Sequence, residues 1–481
     1  MAIPPAWRQK GKKTFMSLQK LRRKFVGDRA FYAMVLGVAV PIMIQNGITN
    51  FVSMLDNIMV GQMGTEPMSG VAIVNQILFI FNLCIFGATG GAGIFGAQFA
   101  GSGNTDGLRS TTQFKLIVCM TLLAVGLTVY ETFGERLVSL YLHEDGTKAI
   151  DIDEILVHAM DYIHVMLWGM LPFVLAQVYS STLRETGQTV VPMISGICAV
   201  LVNLILNYVL IFGHLGFQPM GVRGAALATV ISRYVELAII AVYAHTHRHV
   251  YPFMERLYTR WRIPARLARQ ITIQGMPLML NELLWSIGMA ILNQCYSTRG
   301  PGAVAAVNIS STIFNLFGVV FMALGMSVGI IVGQKLGAGD MEAARDTDNK
   351  LIAFSVASCF VTGGVLIAIA PLFPSIYNTT DTVRAIATSM IRIHACLMPL
   401  NAFAHACYFT LRSGGKSGIT FVFDSGFSWV VQIPVALALS RLTNLPIVPL
   451  YALCASLDFL KCLLGFVLIK QGKWLNNLTT T

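Results

Sequence analysis

Charge is scarce in this sequence. Only 12% of its 481 residues are Asp, Glu, Lys or Arg, whereas a soluble domain carries about 25% charged residues. Hydrophobic residues make up 55%, and apolar runs of roughly 20 residues, long enough to cross a bilayer as a helix, recur along the whole chain. This composition excludes an ordinary soluble protein and predicts an integral membrane protein.

A disulfide framework and the common enzyme motifs are also missing. The nine cysteines form no CxxC pair and lie within or at the ends of the apolar runs, as small packing residues do. Residues 91–96 satisfy GxGxxG but end an apolar run and follow no strand, and residues 414–417 lack the first glycine of a P-loop. Because HExxH and paired catalytic carboxylates are absent too, we predict a protein that is not an enzyme and has no cofactor.

The apolar runs predict an all-α fold with twelve transmembrane helices. Their predicted bounds are 31–54, 68–92, 108–130, 154–182, 189–213, 222–244, 268–294, 303–333, 347–372, 383–411, 418–439 and 447–469. About thirty polar and basic residues precede the first run without a cleavage site, so we expect no signal peptide.

The net charge of +11 is distributed as in a multi-pass membrane protein rather than a nucleic-acid-binding protein. Lys and Arg collect before the first span and between the sixth and seventh spans. The third-to-fourth loop is acidic: Glu131, Glu135, Glu144, Asp145, Asp151, Asp153 and Glu154. The positive-inside rule then places both termini in the cytoplasm. We expect a multi-pass protein of the plasma (inner) membrane. The basic segment 1–30 could also contact anionic membrane lipid.

An internal repeat divides the chain into two halves. Residues 93–109 return at 329–345, with Arg109 matching Arg345 at an offset of 345 − 109 = 236, and Pro41 matches Pro277 at the same offset. Six spans in each half return the chain to its starting side, so the two copies have the same orientation.

We therefore predict two pseudo-symmetric six-helix bundles around a central cavity. The N-lobe spans 31–244 and the C-lobe 268–470. A cytoplasmic linker, 245–267, joins them, and 471–481 is a cytoplasmic tail. Matched prolines at 41 and 277 favour a first helix that bends into the cavity in each half, with a static packing kink as the alternative.

A polar stripe on the first span ends in a carboxylate. Spacings of three and four place its members on one helical face: Asn46, Thr49, Asn50, Ser53 and Asp56. A charge at the bilayer centre costs roughly 2.5–3.5 kcal/mol on insertion scales, so Asp56 must pair, bind a cation or take up a proton.

Neutral oxygens are available to complete a site around Asp56. Asn203 and Asn207 lie one turn apart on the fifth span, Thr229 lies on the sixth, and Asn75 on the second is a further candidate. A carboxylate with amide and hydroxyl oxygens suits a proton or a hard cation such as Na⁺. A hydrogen-bonded helix interface without ion traffic is the alternative.

The second half carries a related but imperfect set of polar residues. Glu282, the second intramembrane carboxylate, shares a face with Ser286 and Asn293 on the seventh span. We expect Glu282 to take part with Asp56 in ion or proton coupling. Ser286 and Asn293 are expected in the substrate cavity, together with five residues from other spans: Asn46, Asn75, Asn401, His405 and Asp424.

Five segments of this sequence resemble the multidrug and toxic compound extrusion (MATE) family, bacterial type. They are LDNIMVGQMG (55–64), LRETG (183–187), VLVNLILNYVLIFG (200–213), GVRGAALATVISR (221–233) and GKWLNNL (472–478). The resemblance implies twelve helices in two bundles. It also implies export of amphipathic, often cationic compounds in exchange for H⁺ or Na⁺.

By this resemblance, Asp56 matches the family's acidic residue on the first helix. Asn203 matches the asparagine of an N-x-x-x-D pattern whose aspartate is replaced here by Asn207. Glu282 resembles the seventh-helix acid of some members, and Asn401 falls near an aspartate of others. The choice between a proton site in the N-lobe and a sodium site in the C-lobe stays open.

The sequence thus predicts a monomeric antiporter that works by alternating access on small-molecule substrates. Two alternatives remain. A flippase for a lipid-linked precursor would line its cavity with basic residues, whereas the arginines here cluster in loops. A non-transporting membrane receptor would leave the intramembrane carboxylates without a purpose.

Overall fold

A computed structural model describes residues 24–142, 152–377 and 379–480 of the chain. Most of the predicted basic segment 1–30, and Glu144, Asp145 and Asp151 of the acidic loop, lie outside these residues. Within the described ranges every regular element is helical.

The twelve predicted spans all coincide with helices, which confirms the all-α membrane fold. The helices are α1 (Arg29–Gly61), α2 (Thr65–Gly101), α3 (Thr105–Ser139), α4 (Ile152–Trp168), α5 (Met170–Glu185), α6 (Val190–Phe212), α7 (Gly221–Thr246), α8 (Ala265–Ser297), α9 (Pro301–Gly337), α10 (Met341–Ile369), α11 (Asp381–Ser413), α12 (Ser417–Leu442) and α13 (Ile447–Lys470). In the described part of the chain, eleven helices are each long and apolar enough to cross a membrane, and α4 with α5 forms a twelfth span bent by 48°.

Most helices extend several residues beyond the apolar runs from which they were predicted. Lipid offers no hydrogen bonds, so a spanning segment must satisfy its backbone internally, and the helix continues until a cap ends it. Four starts are capped by side chains: Asp28 accepts from Phe31 N at 2.8 Å, Asn104 from Gly107 N at 2.8 Å, Asp340 from Ala343 N at 2.9 Å, and Thr380 from Val383 N at 3.4 Å.

The repeated sequence forms the same helix–turn–helix in both halves. After α2 the chain turns at Gly103 with φ +69°, and after α9 it turns at Gly339 with φ +81°. Residues with a Cβ rarely adopt this left-handed conformation, so both turns favour glycine. The caps of α3 and α10, Asn104 and Asp340, also lie 236 residues apart (340 − 104). The repeat therefore encodes a turn.

The bend between α4 and α5 has a local cause. Pro172 has no N–H to donate to the carbonyl of Trp168, so the helix breaks at Gly169. Tyr234 Oη of α7 donates to the freed Trp168 O at 3.3 Å. Arg233 Nη1 of α7 donates at 3.2 Å to Gly169 O, which also accepts from Phe173 N at 3.3 Å. Protein groups thus replace the missing helical bonds.

The contacts of the described residues form two compact units. The N-terminal unit contains residues 41–289 and 417–425, and the C-terminal unit contains residues 24–40, 290–416 and 426–480. The C-terminal unit has two apolar cores, one around Met390 and Leu450 and one around Cys359 and Met398. The predicted lobe boundaries at 31–244 and 268–470 and the central cavity stay predictions.

In each unit, a segment that follows a long helix folds back onto the end of the bundle. After α7, the backbone carbonyls of Phe253 and Pro252 accept from Arg109 at 3.3 and 3.1 Å. After α13, Trp474 is 1% exposed, and Asn476 donates to Gly414 O at 3.3 Å.

Candidate functional site

Asp56 lies in a polar cluster formed by α1, α6 and α7 of the N-terminal unit. Asn203 and Asn207, 6% and 2% exposed, face it from successive turns of α6. Asn207 Nδ2 donates to Asp56 Oδ1 at 2.7 Å. Thr229 on α7 completes the cluster, with its Oγ1 3.2 Å from the amide of Asn203. The structure thus brings together four residues that the sequence predicted as one site.

The amide of Asn203 can serve this cluster in two orientations, since rotation exchanges its oxygen and nitrogen. With the nitrogen toward Asp56, it lies 3.0 Å from both carboxylate oxygens, and the amide oxygen faces Thr229 Oγ1 at 3.2 Å. With the oxygen toward Asp56, that oxygen accepts from Asn207 Nδ2 at 3.2 Å, and the nitrogen donates to Thr229. Only the first orientation gives the carboxylate two amide donors.

The second orientation suits a bound cation or proton. In this orientation the Asn203 oxygen and the Asp56 oxygens lie at hydrogen-bonding distance from each other, although all of them are acceptors. Such oxygens repel one another unless a cation or a hydrogen lies between them. Asn207 Oδ1 is buried and has no hydrogen-bond partner among the described residues. One carboxylate with neutral amide and hydroxyl oxygens fits a small monovalent cation or H⁺.

The donor set does not fit a transition metal. Such sites use histidine or cysteine ligands, or several carboxylates. The described residues contain no group of three or more His, Cys, Asp or Glu that could hold a metal ion.

A second polar cluster joins α8 to the first turns of α12 in the same unit. Asn281, 1% exposed, donates from Nδ2 to Asp424 Oδ2 at 2.8 Å. Its Oδ1 accepts from Ser425 N at 3.1 Å and from Ser425 Oγ at 2.7 Å. Residues 422–426 are π-helical, which changes the α-helical bond pattern, and the Asn281 side chain satisfies a backbone N–H there.

The sequence predicted Asp424 and, on the seventh span, Glu282, but it did not single out Asn281. Glu282 is half-buried, and the amide that holds Asp424 belongs to the preceding residue, Asn281. A register shift of one residue on a helix turns a side chain by about 100°, which explains why sequence position alone did not select Asn281.

The structure gives the remaining cavity candidates other contacts or positions. Asn75 accepts from Tyr162 Oη at 3.3 Å. His405 bonds through Nδ1 to the backbone oxygen of Asn401 at 3.1 Å, and its ring lies 4.7 Å from that of Phe321. Three others are placed along their helices: Asn46 and Ser286 half-buried, and Asn293 exposed. Their roles in a cavity stay predictions.

Two buried charged groups inside the predicted spans were overlooked in the sequence. Lys115 on α3 and Asp348 on α10 are each 1% exposed. Lys115 Nζ lies 2.5 Å from Glu185 Oε1 and also donates to Ser181 and Thr182, both at 3.2 Å. A signal was available, because both residues fall inside predicted spans, where a charge is costly.

Comparison with known proteins gives one family. The MatE family profile matches residues 41–209 and 277–438. A probable multidrug resistance protein NorM of Thermotoga maritima is 25% identical over 446 residues, which cover 92% of either chain. A probable multidrug resistance protein YoeA of Bacillus subtilis is 24% identical over 418 residues, covering 85% of this chain and 87% of YoeA.

A solved structure shows the same fold. The crystal structure of MATE in the straight conformation superimposes with a TM-score of 0.83 at 19% identity, covering 94% of this chain and 97% of that one. The twelve-span arrangement is therefore shared despite low sequence identity.

Proposed function

The chain belongs to the MatE family, and from this membership we propose that it is a membrane antiporter that exports drug-like, often cationic small molecules in exchange for H⁺ or Na⁺. Relatives over most of its length bear the name of multidrug resistance proteins, which supports a multidrug substrate range. We place it in the plasma (inner) membrane with both termini in the cytoplasm, in keeping with the positive-inside pattern of the sequence.

The observation that carries this proposal is the Asp56 cluster. A carboxylate on a transmembrane helix is costly unless something neutralises it, and here its hydrogen-bonded neighbours are uncharged amides. Na⁺ or H⁺ would supply the missing positive charge. Residues Asp56, Asn203, Asn207 and Thr229 would bind it, and the Asn203 amide would turn its oxygen toward the ion.

Ion binding at Asp56 would drive export by shifting a conformational equilibrium. An ion and a drug are coupled only if each has different affinity for the inward-open and outward-open states. Neutralising Asp56 changes the local charge from −1 to 0, which lowers the attraction for a cationic drug in the state where the ion binds. Energy stored in the ion gradient would thus be used to release the drug outside.

The replacement of a second acid by Asn207 limits the charge that this site can exchange. With a single carboxylate, the cluster balances one positive charge. We expect one H⁺ or one Na⁺ to bind at Asp56 in each transport cycle.

Reconstituted liposomes test the proposal. Purified protein would be given H⁺ and Na⁺ gradients separately, and ethidium movement followed by fluorescence. We expect one of the gradients to drive transport, and Asp56→Asn to abolish gradient-driven transport while the protein still inserts. Asp381→Asn is a matched control, because the Asp381 side chain is 97% exposed and bonded to Arg384.

Two results would contradict the proposal. Full gradient-driven transport by Asp56→Asn would remove Asp56 from coupling. An absence of transport for every dye under both gradients would favour a flippase or a receptor. Dye transport is therefore what distinguishes an exporter from these alternatives in this assay.

A further inference from the structure

A buried acid lies in the C-terminal unit, apart from both polar clusters. Asp348 on α10 is 1% exposed, and Thr410 on α11 is fully buried. Thr410 Oγ1 lies 2.5 Å from Asp348 Oδ1. The other carboxyl oxygen, Oδ2, is also buried and has no hydrogen-bond partner among the described residues.

The hydrogen bonds of Thr410 indicate where the proton is. Its hydroxyl has one hydrogen but lies near two oxygens, Asp348 Oδ1 and Ala406 O, the latter at 2.9 Å. If Asp348 is the neutral acid, it donates to Thr410 and Thr410 donates to Ala406, so both contacts are hydrogen bonds. If Asp348 is ionised, a buried carboxylate is left with a single donor, which is costly.

The internal repeat allows a comparison with a charged carboxylate that lies beside the equivalent threonine of the N-terminal unit. Thr182 matches Thr410 at 410 − 182 = 228, and there Lys115 binds both Thr182 and the carboxylate of Glu185. The position that matches Lys115, at 351 − 115 = 236, is Leu351. The C-terminal unit keeps the threonine and has a carboxyl group beside it, but leucine stands at the position of the lysine.

Other ionisable groups around Asp348 do not replace that lysine. Cys407 on the facing helix α11 is fully buried and interacts with Asp348 electrostatically, but it is a thiol. On α10, Lys350 is bonded to Asp346 at 2.5 Å. The one charged residue of α9 is Lys335, in its last turn. Among the described residues none forms an ion pair with Asp348.

We propose that Asp348 is a proton-binding site of the C-terminal unit. In this conformation it is the neutral carboxylic acid that donates to Thr410, and it releases its proton when water reaches the space between α10 and α11. The site is separate from Asp56, and its protonation does not depend on what the protein transports. In a proton-coupled exporter it would add a second exchangeable proton.

Infrared difference spectroscopy of the purified protein tests the site directly. A neutral carboxylic acid has a carbonyl stretching band that an ionised carboxylate lacks. At neutral pH we expect wild type minus Asp348→Asn to show this band, and alkaline pH to remove it. Asp346→Asn is the matched control: the same residue type, one half-turn earlier, but ion-paired and 48% exposed, so it should leave the band unchanged.

A second variant covers the case in which Asp348→Asn does not fold. Thr410→Val keeps Asp348 but removes the acceptor of its proton, so the band should shift, and Thr410→Ser should restore it. A difference spectrum with only carboxylate bands would overturn the proposal, as would an unshifted band in Thr410→Val. Because neither measurement requires transport, failure of the drug-export assay leaves this result unaffected.

Discussion

At the scale of single residues, the Asp56 cluster differs from an ordinary buried ion pair. Its carboxylate is met by side-chain amides from one face of α6, and the Asn203 amide can offer either a donor or an acceptor. In an ion pair such as Lys115–Glu185, the lysine already neutralises the carboxylate, so no external cation is needed. A site of neutral groups around one charge can instead exchange its ion, because the Asn203 amide can turn a donor toward the empty carboxylate or an oxygen toward a bound cation.

Thr229 provides a test of that exchange. Thr229→Val keeps the shape of the side chain but removes one oxygen, and a lost hydrogen-bonding or ligand group of this kind costs about 1–1.5 kcal/mol. We expect the cation concentration for half-maximal efflux to rise about tenfold, since 1.4 kcal/mol is a factor of ten.

The measurement is ethidium efflux from liposomes at a series of Na⁺ concentrations or pH values. Thr229→Ser, which keeps the oxygen, should behave like wild type. Equal ion dependence of the valine variant and wild type would exclude Thr229 as a ligand.

At the scale of helices, small residues allow a charged group to be buried. Glu185 lies against the backbone of α2 at Gly93 and Gly96, where a Cβ on Gly96 would overlap the carboxylate. Two glycines three residues apart therefore give α2 and α5 the space for the Lys115–Glu185 pair. Helix packing and charge burial depend on each other here.

Gly96→Ala should break this arrangement. The added methyl group would displace Glu185 from Lys115, and breaking a buried pair costs roughly 3–5 kcal/mol. We expect a clear loss of thermal stability in detergent, measured by intrinsic fluorescence on heating. Gly364→Ala is the control, because nothing lies within 4 Å of its added Cβ. Similar melting temperatures for the two variants would show that the Glu185 side chain can adopt another conformation without loss of stability.

At the scale of the whole molecule, the repeat provides each unit with the same anchor. Arg109 donates to the segment after α7, and the equivalent Arg345 has its guanidinium beside Gly472 in the tail after α13. The repeated sequence thus fixes the turn between two helices and also holds the segment that leaves each bundle.

Hydrogen–deuterium exchange can test this anchoring. Arg109→Ala removes the two hydrogen bonds that this charged side chain donates to the segment after α7, each worth about 1.5–3 kcal/mol. We expect peptides from 250–262 to exchange at least about tenfold faster, with no change in peptides from 471–480, which serve as the internal control. Arg345→Ala should show the opposite pattern. Faster exchange in both segments with either variant would mean general destabilisation instead.

Much of the fold followed from the sequence because the bilayer restricts what a chain can do. The twelve spans, the repeat and its turns were readable, since lipid requires apolar runs of a set length and internal backbone bonding. Asp56, Asn203, Asn207 and Thr229 were found because intramembrane polar residues are rare and helical spacing predicts which of them share a face.

Only the tertiary structure decided which polar groups from distant helices meet. It paired Asp424 with Asn281, which the sequence had not singled out, and it gave Lys115 a carboxylate while leaving Asp348 with a single threonine. The physical reason is that helical periodicity fixes the face of a residue within its own helix. Rotation and depth relative to other helices are set by packing between side chains far apart in sequence, and those decide whether a buried group keeps its charge.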